Sequence, residues 1–166
     1  MRGISSLVER LGRKLPKFED GRIDYSKSKV AVVLTIFIRH TGRILLLKRS
    51  SRVSSYKNRW NVVAGFLDDL KPLREKVLEE LKEELGLRES SISCMHFGRQ
   101  YRFRDREIDK TWIVFPVLVD LKEKPVIKLD WEHVEYKWVL PEELKDFGTV
   151  PNLEKSWKNA LKDNGC

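Results

Sequence analysis

An α+β fold built on a mixed sheet is what this chain of 166 residues predicts. Three observations carry that expectation. Strand-like and helix-like segments follow one another without the regular strand, helix, strand alternation that builds a parallel doubly wound sheet. One strongly periodic helical stretch, Pro72 to Leu85, stands alone between two groups of strands. With 41% hydrophobic and 10% aromatic residues the chain has apolar surface enough to offset chain entropy, and a chain of this size buries roughly 70% of its unfolded surface around one core. Intrinsic disorder is excluded.

The elements follow in order. From Ile4 to Leu15, Ile4, Leu7, Val8, Leu11 and Leu15 recur at helical spacing with Arg10, Arg13 and Lys14 mostly opposite, the pattern of an amphipathic helix packed on a domain. A basic helix lying on a membrane surface is the sharper alternative, and the lack of an aromatic anchor weighs against it. Residues 16–28 are polar and read as a linker. Val30 to Arg39 and Arg43 to Lys48 are rich in Val, Ile, Leu and Phe, with His40-Thr41-Gly42 as the hairpin turn between them. Residues 50–57 form a polar, basic loop, and Trp60 to Ala64 a short strand ending at Gly65. Leu73, Val77, Leu81 and Leu85 then mark one stripe of a helix that Gly86 stops. Ile92 to Phe103 and Thr111 to Val119 are strand-like, as is Val134 to Val139. A short helix opens at Pro141, and Leu153 to Leu161 is the last.

Charge is unevenly placed. Of 33 Lys and Arg against 25 Asp and Glu, nine cations (Lys27, Lys29, Arg39, Arg43, Lys48, Arg49, Arg52, Lys57 and Arg59) lie between Asp24 and Asp68 with no carboxylate among them. From Asp68 to Leu87, seven carboxylates face four cations. A polyanion favours the first block and hard divalent cations the second. Two solvated surfaces are the plain alternative.

Several functions are excluded. The longest apolar-looking run, Val30 to Ile38, has nine residues including Thr35, whereas a membrane helix needs about 20. Glu9, Arg10 and Arg13 stand where a secretory segment would be apolar, and Cys94 and Cys166 cannot supply a disulfide framework or a cysteine metal site, so a reduced cytoplasm is expected. The nine glycines are at least nine residues apart, which rules out the P-loop and the dinucleotide fingerprint. His40, His96 and His133 offer no zinc pattern, and His96 and His133 read as ordinary strand residues.

The helix from Pro72 is the informative piece. Glu79, Glu80, Glu83 and Glu84 form like-charge pairs at i,i+4, each costing roughly 0.2–0.5 kcal/mol of helix stability, with partial relief from Lys76 and Lys82. Around the helix axis Glu84 lies about 40° to one side of Glu80 and Glu83 about 60° to the other. Converging carboxylates on a rigid helix suit Mg²⁺ or Mn²⁺; a solvated Lys/Glu-rich helix is the alternative.

The stretch Trp60-Asn61-Val62-Val63-Ala64-Gly65-Phe66-Leu67-Asp68, followed by Glu80-Leu81-Lys82-Glu83-Glu84-Leu85-Gly86-Leu87, resembles the Nudix hydrolase signature. That signature is a Gly, five residues, a Glu, seven residues, then Arg-Glu-U-x-Glu-Glu-x-Gly-U, with U aliphatic. Gly65, Glu80, Leu81, Glu83, Glu84, Gly86 and Leu87 match without gaps. The likeness extends over Lys29 to Phe147. Two positions reverse sign: Lys71 stands for the Glu and Glu79 for the Arg. Ala64, in place of a second Gly, departs less. An ion pair with swapped polarity between Lys71 and Glu79, holding the loop to the helix, is expected.

The resemblance implies a Nudix-like α/β/α sandwich with a mixed β-sheet over residues 29–166, including a C-terminal helix, with residues 1–28 as an amphipathic helix and linker packed on it. It implies a Mg²⁺-dependent hydrolase (Mn²⁺ as the alternative ion) that cleaves a diphosphate linkage in a nucleoside diphosphate derivative by in-line water attack. Glu80, Glu83 and Glu84 would hold the metal, helped by the Gly65 carbonyl. Glu83 on the helix, or Glu135 and then Glu132 on a later segment, are the candidates for general base. Arg49 and Arg52 are placed to clamp phosphates. Trp60, Tyr101 or Phe103 would stack on a base, or else serve the core. Two other readings compete: a non-catalytic module that holds a nucleotide or RNA on its basic block, and an isopentenyl diphosphate isomerase-like enzyme, for which Cys94 lies on the wrong side of the helix. A homodimer is compatible with all three.

Overall fold

The computed structural model describes residues 2–162. Cys166, on which part of the redox expectation rests, lies outside them. Eight strands and three α-helices follow in the order α1 (Arg2–Gly12), β1 (Val30–His40), β2 (Arg43–Arg49), β3 (Trp60–Asn61), β4 (Val63–Phe66), α2 (Leu73–Leu85), β5 (Ile92–Phe97), β6 (Tyr101–Asp105), β7 (Lys110–Leu121), β8 (His133–Val139) and α3 (Leu153–Ala160). Short 3₁₀ turns, Glu89–Ser91 and Pro141–Asp146, precede β5 and α3.

The sheet is mixed, as expected. β1 and β7 run parallel at its centre, in register from Val30↔Thr111 to Arg39↔Asp120. Both are nearly continuous runs of buried apolar residues, the composition of strands covered on both faces. β1 and β2 pair antiparallel only at the mouth of their hairpin, His40↔Arg43 and Arg39↔Ile44. Its two turn residues, Thr41 and Gly42, both have positive φ (46° and 77°), the backbone of a tight two-residue turn. Past the hairpin β1 and β2 diverge. β4 takes the free edge of β1, Val33↔Phe66 to Ile36↔Val63, while β3 and β8 flank β2.

That divergence corrects two expected strands. Trp60 to Ala64 is not one strand: it breaks at Val62, because β3 pairs with β2 and β4 with β1. Ile92 to Phe103 likewise breaks at residues 98–100, since β5 pairs with the second half of β7 and β6 with the first. The break sits at Gly98, where a Cβ would run into the Asn159 and Ala160 backbone of α3.

Helices cover both faces. α1 and α2 lie over one, where Val8, Leu73, Val77, Leu81 and Leu85 join the core formed by β1 and β7. α3 and the Pro141–Asp146 turn lie over the other, packing Leu144, Leu153 and Ala160 against Phe37, Ile44 and Leu118. The result is a three-layer α/β/α sandwich. The stretch read as a linker is more tied down than that word implies: Ile23 and Tyr25 are buried in the same core as α1. No helix among the described residues is long and apolar enough to cross a membrane.

Candidate metal and diphosphate site

The site begins at the end of β4. Helix α2 starts at Leu73 just after Pro72 and ends on Gly86, which takes the left-handed conformation (φ 67°) and donates its N–H to Lys82 O at 2.9 Å. Its apolar stripe faces the sheet and fixes its rotation, which turns Glu80 and Glu84 toward β4. Glu84 is 4% exposed, and its Oε1 accepts the Ala64 N–H at 3.3 Å. A Cβ on Gly65 would overlap the Glu80 carboxyl group, so the glycine is what lets that side chain lie across the end of β4. The position tolerates any backbone-compatible residue in φ; what it lacks is room.

A cavity of about 1020 Å³ opens beside these carboxylates. Glu79, Glu80, Glu83 and Glu84 from α2 line it, with Asp68 and Asp69 from the loop before the helix and Asp130 and Glu132 from the segment before β8. Burial pushes the Glu80 carboxyl up to about 7, Glu83, Asp68 and Glu132 adding to the shift and Lys76 opposing it. Glu84 is driven well above the ordinary carboxylate range, by burial first and then by Glu80, Glu132 and Asp130. Glu132 is raised too, by burial and by Asp130, against the pull of Arg49.

The chemistry of this donor set fits a divalent cation. The donors are hard carboxylate oxygens, and Glu84 Oε2 is buried with no hydrogen-bond partner. Negative charge crowded into a buried pocket calls for a cation. As the side chains stand, no three carboxylate, imidazole or thiol groups among the described residues already enclose an ion.

Of the residues expected to bind substrate, Arg49, Tyr101 and Phe103 line the cavity. Arg49 Nε donates to Ser55 O at 3.1 Å; burial lowers its pKa, while Glu132 and Glu84 work the other way. Tyr101 and Phe103 stack with ring centroids 6.1 Å apart, and the Tyr101 hydroxyl lies 2.6 Å from Ser156 Oγ. Arg52 is directed elsewhere, donating to Trp131 O at 3.2 Å with its guanidinium over the Trp131 ring. Trp60 belongs to the opposite core, edge-on to Phe147, with Lys48 and Lys137 over its ring. Glu135 stands on β8 beside Lys48 and Lys137, at 3.7 and 3.5 Å, and is not among the lining residues, whereas Glu132 is. Cys94 on β5 does not line the cavity either.

The nine-cation block does not act as one surface. Lys29 pairs with Asp109, Arg39 with Asp120 through two hydrogen bonds, Lys48 with Glu135 and Arg59 with Glu107. Of the nine, Arg49 is the one that lines the cavity.

Several contributors were not placed at the site by the sequence reading. His133, expected to be an ordinary strand residue, is buried with Nδ1 3.0 Å from Asp130 Oδ1 and Nε2 3.7 Å from Glu84 Oε2. Phe66 and Trp112 form an aromatic wall, their rings 6.2 Å apart, with Tyr25 stacked on Phe66 at 5.7 Å. Lys76 is buried among acidic groups. A lysine next to the stripe residue Val77, followed by two glutamates at i+3 and i+4, was the available signal for it.

Comparison with known proteins agrees with this geometry. The NUDIX domain family model matches residues 27–160. The nucleoside triphosphatase NudI of Escherichia coli (strain K12) is 23% identical over 112 residues, 64% of this chain and 79% of that protein. The crystal structure of MutT protein from Methanosarcina mazei Go1 superposes with a TM-score of 0.66 at 24% identity, covering 84% of this chain and 99% of that one. A C. elegans Ap4A hydrolase binary complex gives a TM-score of 0.61 at 16% identity, covering 78% and 93%. With a family model spanning most of its length and the signature carboxylates gathered at the end of β4, this chain belongs to the NUDIX family, that of the Nudix hydrolases.

Proposed function

We propose that this Nudix hydrolase is a Mg²⁺-dependent pyrophosphohydrolase that cleaves the diphosphate linkage of a nucleoside diphosphate derivative by in-line attack of water. The observation that carries the reading is the buried Glu84 Oε2, which has no hydrogen-bond partner and lies beside Glu80 in a cavity that also holds Arg49. Glu80, Glu83 and Glu84 hold the cation, with the Gly65 carbonyl at the same strand end. When bound, Mg²⁺ neutralises the diphosphate and raises the acidity of the attacking water.

The protein's own groups do the rest. The Ala64 N–H anchors Glu84 Oε1, which leaves the buried Oε2, with the His133 ring 3.7 Å away, open to a cation. Arg49, half-buried and held by Ser55 O, presents its remaining donors to the phosphates. Glu132 is the favoured proton acceptor among the later candidates, because it lines the cavity and burial with Asp130 raises its basicity. Phe66 with Trp112, and Tyr101 with Phe103, offer flat apolar faces for a base within that cavity. The names of the similar proteins, a nucleoside triphosphatase and an Ap4A hydrolase, support a nucleotide substrate.

Purified protein incubated with ADP-ribose, dinucleoside polyphosphates and nucleoside triphosphates, with products identified, tests the proposal. Turnover that requires Mg²⁺ and falls roughly 10–100-fold or more in Glu84→Gln is expected. No Mg²⁺-dependent turnover of any of these, with the variant equal to wild type, overturns it.

A further inference from the structure

We propose that the Lys76 ammonium is a tethered cation that occupies one cation position within the carboxylate cluster, so that the site takes fewer divalent ions than its carboxylates alone would bind. The inference rests on the reading of this cavity as a divalent-cation site.

The geometry is specific. Lys76 Nζ lies 3.2 Å from Asp68 Oδ1, 3.7 Å from Glu80 Oε1, 3.9 Å from Glu79 Oε2 and 4.0 Å from Asp69 Oδ2. Its side chain is 8% exposed, and Asp68 Oδ1 has no hydrogen-bond partner besides this ion-pair contact. Lysines on helices ordinarily extend their amine to water; this one, on the same arc as Glu80, runs its stem along α2 and ends among acidic oxygens. Four acidic side chains lie within 4.0 Å of this one buried amine, in the segment that holds seven carboxylates.

An ammonium and a metal ion organise the same ligands differently. Mg²⁺ draws oxygens to about 2.1 Å and demands near-octahedral order, whereas the Lys76 contacts are 3.2–4.0 Å. Glu84 and the far oxygen of Glu80 are left to the exchangeable cation. Two cations within a few Å repel, so the fixed charge of Lys76 lowers the affinity of any ion approaching Asp68 and Glu80 from its side.

The test counts Mn²⁺ bound per chain, by electron paramagnetic resonance of the free ion, in wild type, Lys76→Met and Lys76→Arg without nucleotide. Expected are one additional bound Mn²⁺ in Lys76→Met, or binding tightened by about tenfold or more, and wild-type behaviour in Lys76→Arg. Thermal unfolding is the second readout. Lys76→Met should melt lower than wild type in EDTA and gain more from millimolar Mn²⁺ than wild type does, since the metal replaces the lost charge. If Lys76→Met is unfolded in EDTA, folding on addition of Mn²⁺ supports the proposal and failure of both Lys76→Met and Lys76→Gln to fold with Mn²⁺ overturns it. Equal stoichiometry, affinity and Mn²⁺-induced melting shift in Lys76→Met and wild type also overturn it. Absence of Mn²⁺ binding to wild type would instead remove the metal-site reading itself.

Discussion

Lys71 Nζ lies 2.6 Å from Glu79 Oε1, and Asp69 Oδ2 stands 3.7 Å from the same amine. The pair closes the loop after β4 onto the second turn of α2, and its polarity is opposite to that of the Nudix signature. The two sign reversals therefore compensate one another. The hydrogen bond to Glu79 raises the Lys71 pKa even at this exposed position.

A double-mutant cycle measures this coupling. Lys71→Glu alone gathers like charges at Asp69 and Glu79; Glu79→Arg alone sets cations beside Lys71 and Lys76. The double variant should lose less stability in denaturant titration than the two single losses combined, by the small margin of an exposed pair. Strict additivity would show that the two residues do not act as a unit.

Stability of the metal-free protein should fall as pH rises. Glu80 holds its proton up to about 7 in the folded state and Glu84 is also raised well above the usual carboxylate range, whereas both ionise near 4.5 in the unfolded chain. The folded protein thus binds more protons between those values, and ionising these groups costs stability progressively from about pH 4.5 through 7. Melting temperatures in EDTA between pH 5 and 8 should show this slope, reduced in Glu80→Gln. Mg²⁺ favours the ionised carboxylates, so its stabilising effect should grow with pH over the same window.

Gly65→Ala tests the contact at the end of β4. A Cβ there collides with the Glu80 carboxyl group, while the backbone itself accommodates alanine. Displacing Glu80 should weaken Mn²⁺ binding by about 10–100-fold with little change in the unfolding midpoint. Unaltered binding would mean that Glu80 contributes nothing to the cation site.

The N-terminal segment should contribute to the site as well as to stability. The Ile23 N–H donates to Asp68 O at 2.7 Å, Arg22 reaches Asp68 Oδ2 at 3.5 Å, and the Tyr25 hydroxyl donates to Leu67 O at 3.0 Å. Ile23 is 5% exposed, so Ile23→Ala should cost about 2–5 kcal/mol in denaturant titration. Faster hydrogen exchange at residues 67–71 is the accompanying sign that this segment braces the loop carrying Asp68. Exchange unchanged there, despite the lost stability, would confine its role to the core.

Much of this molecule is written in local pattern. The apolar stripe Leu73, Val77, Leu81, Leu85 with Gly86 behind it defines α2, and the rotation it imposes sends Glu80 and Glu84 to the same side. The hairpin around Thr41 and Gly42 and the family signature are legible for the same reason: each depends on residues close in sequence. Other features depend on which strand lies beside which. The breaks at Val62 and near Gly98 follow from β1 and β2 diverging and from β7 serving two partners in turn, neither of which periodicity records. The separation of Glu132 from Glu135, three residues apart yet one in the cavity and the other beside Lys48, follows from where β8 joins β2. Position along the chain also made nine cations look like one basic block; folding distributes them to carboxylates such as Asp109, Asp120 and Glu135 and leaves Arg49 at the site. Burial is the deciding physical quantity. It cannot be read from a charge count, and it is what turns Lys76 from one more helix lysine into a cation among carboxylates and His133 from a strand residue into a neighbour of Glu84.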